Sequence, residues 1–179
     1  MKPTERGTPG VAVALAAALV LAAGLVFDLG AASAQVRTRS AIAGPVTREA
    51  IVRGLSVVPD VDPGSRGEIS VMLHIEFDFN SAELTASARR DLDRVASALA
   101  DARLADGLVT IEGHTDATGS EAYNRRLSGQ RATAVTSYLV QRGVAARRLT
   151  AVGFGEERPL TGYAPTDGRQ RRVEIVRTW

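Results

Sequence analysis

Between Ser70 and Leu99 the apolar period of the chain changes from two to about 3.6, and that change dictates a strand running into a helix. Val71, Leu73, Ile75 and Phe77 fall on one face, while Met72, His74, Glu76 and Asp78 fall on the other. This is the pattern of a half-buried strand. After Asn80-Ser81, apolar residues recur at Leu84, Ala88, Leu92, Val95 and Leu99, with Arg89, Arg90, Asp93 and Arg94 between them and Thr85 as N-cap. The same logic predicts a second strand over Leu108 to Gly113, a second helix over Glu121 to Gln141 closed by Gly143, a third strand over Leu149 to Phe154 and a fourth over Val173 to Val176. Parallel neighbours joined by helices need crossovers, so the expected fold class is α+β: a mixed β-sheet with helices packed on one face, in the order β-α-β-α-β-β.

Upstream of this domain, expected over 68–179, the chain changes character. Lys2 and Arg6 precede an uncharged apolar run from Val11 to Phe27, and Ala32-Ser33-Ala34 supplies the small-x-small pattern for signal peptidase. Residues 1–34 are therefore expected to be a signal peptide, with an uncleaved membrane anchor as the alternative. Residues 35–67 mix Thr, Ser, Pro and Gly and are expected to form a linker. Within it, Thr47 to Leu55 has Ile51 and Leu55 four apart, which also suits docking of a partner from the envelope. The chain has no cysteine, which excludes disulfides, thiolate metal sites and a lipidated cysteine. A formal charge of +2 with few aromatics gives no support for nucleic-acid binding.

The second helix carries one anomaly. Stepping by four gives Tyr123, Leu127, Arg131 and Val135, so a guanidinium sits on the core-facing stripe. An unpaired buried charge costs several kcal/mol, and it must be paired or reach solvent. Asp116, in the Gly113-His114-Thr115-Asp116 segment before the helix, is the best-placed partner, and the helix N-terminus favours its ionised form. Asn124 and Ser128 add neutral donors and acceptors. Two readings follow: a structural Asp116–Arg131 salt bridge, or a clamp for a ligand bearing an ammonium and a carboxylate on one carbon.

At these residues the sequence resembles the outer membrane protein A C-terminal (OmpA-like) domain family, which includes peptidoglycan-associated lipoprotein and the periplasmic part of flagellar stator proteins. The resemblance spans about Val71 to Val176. It is carried by Phe77-Asp78-Phe79-Asn80-Ser81-Ala82-Glu83-Leu84, Glu112-Gly113-His114-Thr115-Asp116-Ala117-Thr118-Gly119, Tyr123-Asn124-Arg125-Arg126-Leu127-Ser128-Gly129-Gln130-Arg131-Ala132, Arg148-Leu149, Gly153-Phe154-Gly155-Glu156 and Pro159. The resemblance implies a non-catalytic domain that binds peptidoglycan, with Asp116 and Arg131 on the diaminopimelate end of the stem peptide and Asn80, Thr115, Asn124 and Leu127 lining the site. It implies no cofactor and no metal, and a place in the periplasm against the cell wall, with the outer membrane as the candidate docking surface. Where the family has Asn-Arg-Arg-Val-Glu, this chain has Gln170-Arg171-Arg172-Val173-Glu174, so ligand contact by Arg171 stands beside a solvated strand end.

Three rival readings remain on the sequence. Glu112 and Asp116 could act as the carboxylates of a glycan hydrolase, His74 and His114 supply half a metal site, and Asp28 in a retained anchor would suit a motor or transport component.

Overall fold

The computed structural model describes residues 25–28, 36–42, 45–56, 67–78 and 81–178. Its strands are β1 (Leu25–Asp28), β2 (Val36–Ala41), β3 (Gly67–Leu73), β4 (Leu108–His114), β5 (Leu149–Gly155) and β6 (Val173–Thr178). The helices are α1 (Arg48–Ser56), α2 (Ala86–Leu99) and α3 (Glu121–Gln141). They form a mixed sheet in the order β1-β2-β3-β6-β4-β5. The parallel pairs are β2–β3, bridged by α1, and β4–β5, bridged by α3; β6 enters antiparallel between β3 and β4.

The expected β-α-β-α-β-β order is present as β3-α2-β4-α3-β5-β6. On one face Ile69, Val71 and Leu73 of β3, Ile111 of β4 and Ile175 of β6 meet Leu92, Val95 and Leu99 of α2 and Val135 and Leu139 of α3. Thr85 caps α2 as expected, its hydroxyl accepting from the Ala88 amide at 3.2 Å. Beyond Leu73 the alternation continues in burial but leaves the sheet; Ile75 is buried, His74 and Glu76 are exposed, and Phe77 makes an isolated bridge to Leu84.

The segment expected to be a linker differs. Within 35–67, β2 joins the sheet beside β3, and α1 buries Ile51, Val52 and Leu55 in the same core. The physical reason is that α1, too short to hold alone, gains a partner in β3 and α2. Most of the expected signal peptide lies outside the described residues, but Leu25–Asp28 pairs antiparallel with β2. Among the described residues no helix is long and apolar enough to cross a membrane.

The other face of the sheet is polar and partly closed by ion pairs. Glu174 Oε1 accepts from Arg172 Nε at 2.8 Å, and its Oε2 accepts from Arg37 Nη2 and Ser70 Oγ, each at 3.2 Å. Arg39 Nε lies 3.4 Å from the same oxygen. Glu112 takes Arg37 Nη2 at 2.5 Å and Arg158 Nη1 at 3.3 Å. Burial alone would raise the Glu174 carboxyl, but Arg172, Arg39 and Arg37 outweigh it and hold it at about 2.

A depressed folded pKa contributes stability that is complete above the unfolded value and is lost as pH falls through the folded one. Glu174 should therefore contribute on the order of 3 kcal/mol at neutral pH, lost progressively between about pH 5 and pH 2. Urea titrations of wild type and Glu174→Gln across that window check this: the variant should be less stable at pH 7 and its stability flatter with acid. Parallel curves would contradict the assignment.

Candidate functional site

The site is set by how closely α3 lies on β4 and β5. A Cβ at Gly113 would collide with the Ser128 carbonyl, and one at Gly153 with the Gly129 backbone, so only glycine at both positions lets the helix sit this low. Ser128 stitches the contact by accepting from the Gly155 amide at 2.8 Å and donating to the Arg125 carbonyl at 3.0 Å. Ser120 caps the N-terminus of α3, accepting from the Tyr123 amide at 3.3 Å. This seating carries Asn124, Leu127 and Arg131 up to the loop that leaves β4.

That loop is held by its own polar groups. The Thr115 amide donates to Gly155 O at 2.8 Å, and Asp116 Oδ1 accepts from the Thr118 amide at 3.0 Å. Asn124, buried, donates from Nδ2 to Asp116 O and Thr118 O at 3.2 Å each and to Glu156 Oε2 at 2.6 Å. Its role is to brace the loop. Thr115, Asp116, Asn124, Leu127, Arg131 and Arg171 line one cleft of about 490 Å³. Of the expected site residues, only Asn80 lies outside the described residues. Phe77, Asp78, Thr118 and Tyr123, not expected as site residues, complete the lining; Phe77 and Asp78 sit at the end of the strand alternation and Tyr123 on the stripe of Arg131, which are the signals that could have found them.

The expected Asp116–Arg131 salt bridge is not the pairing found. Asp116 Oδ2 accepts instead from Arg171 Nη1 at 2.5 Å. Because β6 lies next to β4, the start of β6 brings Arg171 against the loop, a neighbour that helix periodicity does not disclose. Burial would raise the Asp116 carboxyl, but hydrogen bonds from Arg171 and Thr118 prevail and keep it below the usual carboxylate range. It is an anion throughout the neutral range.

Arg131 is half-buried, and burial lowers its pKa without removing its charge. Its Nε donates to Ser81 O at 3.0 Å and its guanidinium lies 4.8 Å from the Phe77 ring centroid. Among the described residues no carboxylate lies within salt-bridge distance of it, and its two terminal nitrogens donate no hydrogen bond. The cleft thus presents one anion, already shared with Arg171, and a second cation with donors to spare. Thr115, which also lines the cleft, has a buried Oγ1 without a hydrogen-bond partner among the described residues.

Glu112, one of the two carboxylates of the hydrolase reading, is not in this cleft; it is tied to Arg37 and Arg158 on the polar face of the sheet. Glu112, His114 and Glu174 do group their donor atoms within 4.8 Å of one another. A cation there would have to displace the guanidinia that already neutralise both carboxylates. Of the histidine pair, His74 is exposed and His114 is buried, stacked on Phe154 with centroids 5.6 Å apart.

Gln170 explains the departure in the last motif. Buried, it accepts from the Leu160 amide at 2.7 Å through Oε1 and donates from Nε2 to Ala164 O at 3.2 Å. The loop it holds supplies Pro165 O to the Ala117 amide at 2.9 Å, next to Asp116. Gln170→Leu keeps the volume but strands these backbone groups, so it should lower stability by about 1–3 kcal/mol, read by thermal melting. An unchanged melting temperature would show that the amide bonds carry nothing.

A small mixed sheet brings an acid from a strand-end loop and an arginine from an adjoining helix into one cleft. The chain belongs to the OmpA family, whose model matches residues 76–172. Outer membrane protein A of Shimwellia blattae is 42% identical over 99 residues, covering 55% of this chain and 41% of that protein. Outer membrane porin F of Pseudomonas aeruginosa is 38% identical over 109 residues, covering 59% of this chain and 31% of that one. This chain therefore matches less than half the length of either relative. Among solved structures, the cell wall anchor of the T6SS from Pseudomonas aeruginosa superposes with a TM-score of 0.50 at 30% identity, over 65% of this chain and 84% of that one. A putative MotB like protein from Desulfovibrio vulgaris gives 0.51 at 29% identity, over 62% and 73%.

Proposed function

We propose that this chain binds peptidoglycan without cleaving it, through the free amino-acid end of diaminopimelate in the stem peptide, and so ties the periplasmic side of the envelope to the cell wall. The observation that carries the reading is Arg131 in the cleft that also holds the ionised Asp116, its terminal nitrogens without a hydrogen-bond partner among the described residues. A zwitterionic carbon answers both: its carboxylate takes the terminal nitrogens of Arg131, and its ammonium donates to Asp116, whose oxygens retain lone pairs beyond the Arg171 and Thr118 bonds. The kinship with outer-membrane proteins and the likeness to a solved cell wall anchor support the same reading. Export by a cleaved segment over residues 1–34 would deliver the domain to that compartment.

Co-sedimentation with isolated sacculi tests it. The protein should pellet with the sacculi, free diaminopimelate should release it, and no soluble muropeptides should appear. Failure to pellet rejects binding; soluble fragments reject a purely tethering role.

A further inference from the structure

A second cavity, about 170 Å³, adjoins the main cleft and shares Phe77, Arg131 and Arg171 with it. Its remaining walls include His74, Glu76, His114 and Arg172. Three arginines thus line a space whose one carboxylate among the described residues, Glu76, already accepts from the Ser87 hydroxyl. The counter-ions of Arg171 and Arg172 are Asp116 and Glu174, neither of which lines this cavity. His114 adds an independent sign: its side chain is fully buried, and while Nε2 faces Glu112 and Glu174 at 3.6 and 3.8 Å, Nδ1 has no hydrogen-bond partner among the described residues. Buried polar atoms of that kind mark a place where a ligand or water completes the bonding.

The geometry points to an anion subsite here, shaped for a second carboxylate of the molecule held between Asp116 and Arg131. A water's share of liquid volume is about 30 Å³, so the cavity has room for a carboxylate or a similar oxyanion with a few waters, and no more. Arg131 and Arg171 stand between the two spaces, so one ligand spans both by placing its zwitterionic carbon on one side and its next acidic group on the other. The identity of that ligand rests on the cell-wall reading; the anion chemistry of the cavity does not.

Two titrations separate these. In the first, inorganic phosphate is added at constant ionic strength and the His114 ring resonances are followed in wild type and in His74→Glu, which places a negative charge at the exposed rim. The wild-type signals should shift saturably and the variant should bind severalfold more weakly, because a negative charge at the rim opposes an incoming anion. No saturable shift, or the same shift in the variant, overturns the subsite. In the second, calorimetry compares a diaminopimelate stem tripeptide whose other carboxylates are free with the same peptide amidated at those groups. Tighter binding of the free acid supports the spanning ligand, and equal affinity overturns it. If neither peptide binds while phosphate still shifts His114, the cell-wall reading fails and the anion subsite stands.

Discussion

Removal of residues 35–56 should unfold the domain or lower its melting temperature by more than about 15 °C. The deletion takes out β2 and α1, and with them the fully buried Ile51, Val52 and Leu55. At about 1.5–3 kcal/mol for each buried aliphatic side chain, their loss alone costs roughly 5–9 kcal/mol. A domain of this size holds about 5–15 kcal/mol in total. The deletion also strips Arg37 and Arg39 from the buried Glu174, leaving Arg172 as its one arginine partner among the described residues. Circular dichroism melts of the full chain and the truncated chain check this directly. Equal melting temperatures would return the segment to the role of a linker.

Asp116→Ala and Arg131→Leu should each weaken binding to sacculi by about 2–5 kcal/mol, which is tenfold or far more. Their effects on stability should be much smaller. Asp116 pairs with an Arg171 side chain that is 53% exposed, and ion pairs at that exposure contribute about 1 kcal/mol or less. Arg131→Leu restores an apolar residue to the stripe of α3 while removing the terminal donors that the cleft presents. A purely structural role predicts the reverse pattern, with melting temperature and binding falling together. Pull-downs run beside melts distinguish the two, and wild-type affinity in a well-folded variant would reject the clamp. Because the folded pKa of Asp116 is depressed, its contribution to binding should persist through the neutral range and fade only in acid below the usual carboxylate range.

Much of the fold could be read from the chain alone. The switch of period at Ser70 and the stripe from Leu84 to Leu99 are local signals, and they place β3 and α2 without knowledge of their neighbours. β2 gives no such signal, since its alternation sets Val36, Thr38 and Ser40 against Arg37 and Arg39, and polar residues stand on both sides. Only the pairing partners explain it. Thr38 is buried toward the helices beside Ile69, while the two arginines reach Glu112 and Glu174, which the sheet brings from β4 and β6. α1 showed its Ile51 and Leu55 spacing, but the surface that makes nine residues of helix stable is supplied from far along the chain.

The site divides in the same way. Asp116 and Arg131 were legible because one follows a strand and the other interrupts an apolar stripe. The Asp116–Arg171 pair was not, because it depends on β6 lying between β3 and β4. The bracing role of Gln170 was equally hidden, as its bonds reach back to Leu160 and Ala164 within an irregular loop.

The most direct test of the central claim is a titration of isotopically labelled protein with diaminopimelate, followed through backbone amides and arginine Nε–H groups. Saturable shifts should concentrate at Thr115, Asp116, Thr118, Leu127 and the Nε–H of Arg131, with the amides of β2 and α1 unmoved. Saturation with shifts elsewhere, or no shifts at concentrations that release the protein from sacculi, would contradict that claim.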